Sequence, residues 1–242
     1  MTTLMFYEKP VALNRETHKN FKIAPSGDFK FAAKTNSIVL AGVEFIEASK
    51  EYPIVFAKIS DDVTVPVALL SLRNDENLYV NAEGKWDARY IPAFVRRYPF
   101  VLSGDNDAKQ FAVCIDEAYP GLNEKDGQPL FDKEGENTPF LQNALDFVNN
   151  YQTQYRLNEG FVKKLKELDL FTEISAKAEL AGGKSYLLNG VSIIDEQKLL
   201  KLKQEDVFEL FQSGYMGWIY AHLMSLSNMS RLLDKMKDTE AA

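Results

Sequence analysis

One cysteine, Cys114, and two histidines, His18 and His222, are all the thiol and imidazole that these 242 residues contain. A single cysteine excludes an intramolecular disulfide and any multi-cysteine zinc site. Cys114 stands in the apolar run Phe111-Ala112-Val113-Cys114-Ile115. That run predicts a buried strand and a small core hydrophobe rather than a nucleophile. No second histidine lies at helical spacing from His222, no glutamate stands three residues from it, and Tyr215 to Asn228 holds no acid. A helix-borne zinc pair and a Glu-x-x-His di-iron pattern are therefore missing, so no metal is expected. The chain has no Gly-x-Ser-x-Gly elbow and no Gly-x-Gly-x-x-Gly. Gly182-Gly183-Lys184-Ser185 imitates the tail of a phosphate loop but lacks the upstream glycine, so no nucleotide or other cofactor is expected. No apolar run is long enough to span a bilayer, and Met1 to Pro10 lacks the basic start of a secretory signal. A cytoplasmic protein without a transmembrane segment is the expectation. A net charge of -7 disfavours nucleic acid as a partner.

What is present suits an ordinary globular chain, with 45% hydrophobic and 26% charged residues. The pattern predicts an α+β fold: an antiparallel sheet with helices in the N-terminal half, and a mainly helical C-terminal half. Residues 1–119 form the sheet region, 120–138 a polar connecting loop, and 139–242 the helical region with one β-hairpin; the three can also close into one compact unit. In the first region, Val39 to Lys50 carries Leu40, Val43, Ile46 and Ala48 at helical spacing, ended by Pro53. Strands follow at Ile54–Ile59 and Val63–Leu70, with an Asp61-Asp62 turn between them. Pro66 predicts an edge or a bulge. Leu78-Tyr79-Val80 is a third short strand, Tyr90 to Arg97 a short helix with Pro92 in its first turn, and Phe100-Val101-Leu102 a strand. Asp132 to Glu136 has the wrong spacing for a calcium loop and reads as a solvated turn. In the last region Thr138 caps a helix through Tyr155, and Phe161 to Leu168 forms a second apolar helical face. Ile174–Leu180 and Ser185–Leu188 make a hairpin around Gly182-Gly183. Asp195 caps a short helix, Gln204 to Phe211 is another, ended by Gly214, and Met216 to Lys235 is the last, with Ile219, Leu223, Leu226 and Leu233 as its stripe.

The segment from Trp86 to Phe100 concentrates four further aromatics, two prolines and three arginines. Trp86, Arg89, Arg96, Arg97, Tyr98 and the distant His222 are the candidate ligand-binding residues. Arg89 and Arg96 share a face if the whole segment is helical, and an arginine fork among aromatics suits a carboxylate. That carboxylate belongs either to a ligand or to an internal acid, Glu44 or Glu51, since a buried guanidinium needs a partner. His222, flanked by Trp218 and Tyr220, reads either as part of the site or as a hydrogen-bonded strut in a helix–helix interface. Tyr52, Phe56, Phe94 and Phe100 are expected in one core. No residue is assigned a catalytic role.

Three segments together resemble the SapC family of bacterial proteins: Glu44-Phe45 to Phe56, Trp86 to Phe100, and Ile219 to Leu232, with Leu130-Phe131-Asp132 and Gly135-Glu136 as further matches. The resemblance implies a bacterial protein of a family named through surface-layer gene clusters. Its members also tend to occur near genes for outer-membrane receptors and flavin-dependent halogenase-like proteins. This suggests a soluble accessory or binding protein, linked to uptake or peptide modification, that takes a protein or peptide partner or a small carboxylate. The alternative is an enzyme without a recognisable motif, using the Trp86, Arg89 and Arg96 region.

Overall fold

The computed structural model describes residues 5–24, 26–60, 63–103, 112–179 and 185–241. Three antiparallel sheets are built from β1 (Pro10–Ala12), β2 (Lys22–Ile23), β3 (Ser37–Val39), β4 (Ile54–Lys58), β5 (Thr64–Leu69), β6 (Phe100–Ser103), β7 (Ala112–Asp116), β8 (Leu122–Asn123), β9 (Gln128–Pro129), β10 (Phe171–Glu179) and β11 (Ser185–Ile194). The helices are α1 (Phe45–Ala48), α2 (Ala93–Arg96), α3 (Pro139–Glu167), α4 (Glu196–Leu199), α5 (Gln204–Gln212), α6 (Tyr215–Ser225) and α7 (Asn228–Ala241). The strand orders are β10-β11-β4-β5-β3, β1-β7-β6 and β8-β2-β9. The predicted α+β class, with antiparallel strands and a mainly helical C-terminal half, is what the chain adopts. The expected turns at Asp61-Asp62 and Gly182-Gly183 and the start of the Phe111 strand lie outside the described residues.

Two cores result, and one helix serves both. Leu141 and Val148 of α3 pack with Ile23, Phe100, Ile115, Leu130 and Phe131 against the small sheets. Between three and four turns later Phe161, Val162 and Leu165 join Phe45, Tyr52, Ile54 and Phe56 against the five-stranded sheet. The two apolar faces read as separate helices are thus one helix of 29 residues, roughly 43 Å long. Thr138 starts it: its hydroxyl accepts from Leu141 N at 3.2 Å and donates to the Pro129 carbonyl at 2.7 Å. The expected single core of Tyr52, Phe56, Phe94 and Phe100 is divided accordingly, with Phe100 in the smaller core and Phe94 half-buried beside the larger.

Other expectations give way to long-range contacts. Pro66 is in a central strand, since β5 pairs with β4 and β3. Its carbonyl accepts from Leu40 N at 3.0 Å, just past the end of β3. A proline nitrogen cannot return the bond, and the Leu40 carbonyl instead accepts from Asn158 Nδ2 at 2.8 Å. Asn158 Oδ1 accepts from Gly42 N at 2.9 Å, so one buried α3 amide closes the gap that proline leaves. A side chain at Gly42 would stand 2.3 Å from the Trp218 ring, which explains the glycine.

Val39 to Lys50 is not one helix. It becomes β3, a 3-10 turn at Gly42–Glu44 and the single turn α1. Phe45 and Ala48 face inward while Val43 and Ile46 are exposed. Leu78-Tyr79-Val80 makes only an isolated bridge from Val80 to Trp86. The polar loop after Pro120 contributes β8 and β9, both paired with β2. The predicted last helix is two. Ser225 and Ser227 turn their hydroxyls back onto the His222 and Met224 carbonyls, and Asn228 Nδ2 donates to the Ser49 and Tyr52 carbonyls at 2.6 and 3.2 Å. The break brings Leu232 and Met236, rather than Leu233, into the interior. None of the helices among the described residues is long and apolar enough to cross a membrane.

Candidate functional site

The segment around the three arginines is held by hydrogen bonds that begin at Glu44. This carboxylate is buried; Oε2 accepts from Ala41 N at 2.8 Å, and Oε1 accepts from the Tyr90 hydroxyl and from Ala93 N, both at 2.7 Å. Glu44 therefore satisfies the open starts of the 3-10 turn and of α2 together. Burial, and then the adjacent Glu44 charge, push the Tyr90 phenol well above its ordinary range, so it remains a donor. Trp86 Nε1 donates to the Tyr52 hydroxyl at 2.8 Å, and Tyr52 in turn donates to the Tyr90 carbonyl. Trp86 is thus an anchor beneath the segment.

The three arginines have three fates. Helix α2 begins only at Ala93, so Arg89 and Arg96 do not share a helical face. Arg89 is exposed and lines an open groove of about 900 Å³ with Trp86, Tyr90 and residues of α1 and α7. The groove's other cations are matched: Lys50 with Glu47 at 2.6 Å, Lys235 with Asp87 at 2.6 Å, and Arg231 with Glu51 at 3.6 Å. Arg89 has no ion pair among the described residues. The expected internal pair of Arg89 or Arg96 with Glu44 or Glu51 is not formed. Glu44 is filled by backbone N–H groups and Tyr90, and Glu51 faces Arg231.

Arg97 lays its guanidinium against Phe94 at 4.0 Å and near Tyr151 at 5.2 Å and Tyr7 at 6.0 Å. Its Nε is buried without a hydrogen-bond partner among the described residues. This is an arginine bracing aromatic rings. The Tyr98 hydroxyl donates to Asp116 at 3.1 Å, a fully buried carboxylate that also accepts from the backbone of Glu8, Lys9 and Ala118.

Arg96 lines a different concavity from Arg89. Nε donates to the Ile91 carbonyl at 2.9 Å, and the guanidinium sits between the rings of Tyr90, at 5.7 Å, and Phe147, at 5.1 Å. It makes no ion pair among the described residues, and its charge opposes the upward push on the neighbouring Tyr90 phenol. The cavity beside it, about 340 Å³, is walled by Ile23, Tyr119, Phe140, Ala144 and Phe147, with Asn143 as a further polar group. Arg97 and Tyr98 line the same cavity. Such an apolar space with few polar groups has the dimensions of a small-ligand site, roughly 300–1,000 Å³.

His222 belongs to neither concavity. It is fully buried at a helix–sheet contact, not in the helix–helix interface expected. Its Nε2 accepts from Ile194 N at 3.0 Å, catching β11 beyond its last pairing with β4. Nδ1 is buried without a hydrogen-bond partner among the described residues. Burial pulls the imidazole down to about 4, against a smaller opposing contribution from Ile54. His18 is also buried, with Nδ1 accepting from Asn14 N at 3.1 Å and Nε2 3.4 Å from Glu117. No group of three metal-ligating side chains occurs among the described residues.

The structure thus distributes the candidate residues over three places: Trp86 and Arg89 in the groove, Arg96, Arg97 and Tyr98 at the small cavity, and His222 in the main core. Sequence reasoning missed Asn143 and Phe147. Their signal was available, since Phe140, Asn143, Ala144 and Phe147 stand at i, i+3, i+4 and i+7 on α3. A family model described as SapC matches residues 13–232, nearly the whole chain. No curated protein and no solved structure matches it. The chain belongs to the SapC family.

Proposed function

We propose that this SapC-family protein is an accessory binding protein that recognises a carboxylate joined to an apolar group, at the cavity beside Arg96. The observation that supports this is the preparation of the arginine. Nε is spent on the Ile91 carbonyl and the guanidinium packs against the Tyr90 and Phe147 rings, while no carboxylate is paired with it among the described residues. A fork fixed in advance loses little entropy on binding and suits the bidentate geometry of a carboxylate. The aromatic walls take the apolar part of the ligand. The same chemistry is offered by a small free acid and by the C-terminus of a peptide, so presentation of a peptide for uptake or modification is within the reading. Catalysis through Trp86, Arg89 and Arg96 would require their convergence, whereas Arg96 lines a different concavity from the other two.

The test is calorimetric titration with 3-phenylpropionate, with its amide, and with a short peptide ending in phenylalanine, free or amidated. The acid should bind and the amide should not. Arg96→Lys should abolish most of the difference, and Arg89→Ala should leave it in place. A peptide that binds only with a free C-terminus identifies a peptide source. Equal binding of acid and amide, or binding insensitive to Arg96, refutes the reading.

A further inference from the structure

The hairpin of β10 and β11 carries the one Asn-Gly pair of the chain, Asn189-Gly190. Ile174 pairs with Val191 and Ala176 with Leu188, so Ser175 alone stands opposite both residues. That is a bulge in β11, where one strand carries an extra residue and the ladder is locally interrupted. The pairing of β11 with β4 covers only Val191 and Ser192, so the bulge lies just where the hairpin extends beyond β4. Gly190 has φ +72°, a conformation that favours glycine, and a β-carbon built there would meet nothing within 4 Å. Asn189 and Gly190 are both exposed. The Ser175 hydroxyl, exposed as well, donates to Asn189 Oδ1 at 2.6 Å.

We propose that Asn189 is a site of spontaneous modification, its side-chain amide closing on the Gly190 nitrogen with the assistance of the Ser175 hydroxyl. The Gly190 nitrogen attacks Asn189 Cγ. A C–N bond forms and closes a succinimide ring, the Cγ–Nδ2 bond breaks, and the Gly190 amide proton leaves with Nδ2 as ammonia. Water then opens the ring at either carbonyl, giving aspartate or isoaspartate, with no oxidant or cofactor. Three features favour the step. The bend at residue 190 calls for glycine, and glycine lacks the β-carbon that would shield the attacking nitrogen. The bulge interrupts the cross-strand ladder beside that nitrogen. Ser175 already donates to the oxygen on which negative charge develops during attack, which is the place of an oxyanion donor. The product adds a negative charge to a chain of net charge -7, and its isoaspartyl form adds a main-chain carbon where the hairpin parts from β4. The inference is independent of the carboxylate cavity, none of whose lining residues lies on this hairpin.

Incubation of the folded full chain at mildly alkaline pH, followed by peptide mass mapping and labelling with an isoaspartyl methyltransferase, tests it. Acid should accumulate at Asn189 about tenfold or more faster than at Asn81, which is also exposed but is followed by Ala82 with its β-carbon. Asn189→Gln lengthens the side chain past the favoured ring and should abolish the gain at this position. Folded Ser175→Ala should age about threefold or more slowly, a modest loss because an exposed donor is worth far less than a buried one. Ser175→Thr keeps the hydroxyl and should restore the rate. In urea the hydrogen bond is gone, so wild type and Ser175→Ala should age alike. Both side chains are exposed, so the variants should unfold along the wild-type curve. An Asn189 that ages no faster than Asn81 overturns the inference. So does a folded Ser175→Ala variant that ages as fast as the wild type, or one that is slowed equally in urea.

Discussion

The groove at Arg89 and the cavity at Arg96 hold their arginines in opposite ways. The groove is the larger and more charged, yet most of its cations are matched by acids within the chain, and Arg89 is exposed with no ion pair among the described residues. The cavity holds one exposed arginine head, Arg96, but hydrogen bonding and stacking fix where that head points. An exposed, mobile charge in water gains little from meeting an anion. A charge held in place beside apolar walls gains more, because its orientation is settled before binding and part of its surroundings is dry. Counting cations would select the groove, and the physical comparison selects the cavity.

The largest effect that bears on this comparison should come from Glu44, which supports the segment between both concavities. Glu44→Ala strips a buried acceptor from Ala41 N, Ala93 N and Tyr90, and should cost about 3–5 kcal/mol in urea unfolding. If stability barely changes, water replaces the carboxylate and Arg96 is not held through this frame. Next comes acid. His222 is neutral when folded because its value falls from 6.5 to about 4. A histidine depressed in this way contributes stability that is complete above pH 6.5 and lost as pH falls toward 4, roughly 3 kcal/mol in all. His222 lies away from both concavities, so this loss should appear in unfolding curves from pH 7 to 4 and should be reduced in His222→Leu. Groove and cavity should fail together along it, unlike the selective effect of a site variant.

Arg96→Lys should lower affinity for 3-phenylpropionate about tenfold or more, about 1.4 kcal/mol, while stability stays within about 0.5 kcal/mol because the head is exposed. A large loss of stability would convert Arg96 into another structural brace like Arg97. The smallest effect belongs to Arg89→Ala, expected below about 0.5 kcal/mol in both stability and binding. A tenfold loss of binding there would reverse the comparison and move the site into the groove.

Short-range chemistry was the most readable part of the chain. Thr138-Pro139 announces the start of α3, Asp195 the cap of α4, Gly214 the end of α5, and the β-branched run Ile54-Val55 a buried strand, each within a few neighbouring residues. The misreadings share a different cause. Met216 to Lys235 has continuous helical periodicity, but Asn228 is drawn to the carbonyls of Ser49 and Tyr52, far away in sequence. Pro66 looks like an edge residue until Asn158 supplies the missing donor from α3. The arginine cluster was visible as a cluster, but its division was not. Whether Arg96 or Arg97 reaches the aromatic interior depends on where α2 starts, and Glu44 sets that start from another element.

By itself the sequence determined the α+β class, the family, the lack of a cysteine framework, and the Trp86 to Phe100 segment as the place to look. These follow from composition, from period and from capping, which act over a few residues at a time. Tertiary structure alone decided which carboxylate answers which donor, which arginine packs against which ring, that His222 is a neutral core strut, and that Ser175 meets Asn189 across the hairpin. Those outcomes depend on burial and on the direction of polar groups. Both arise only when segments distant in sequence are brought within hydrogen-bonding and van der Waals reach.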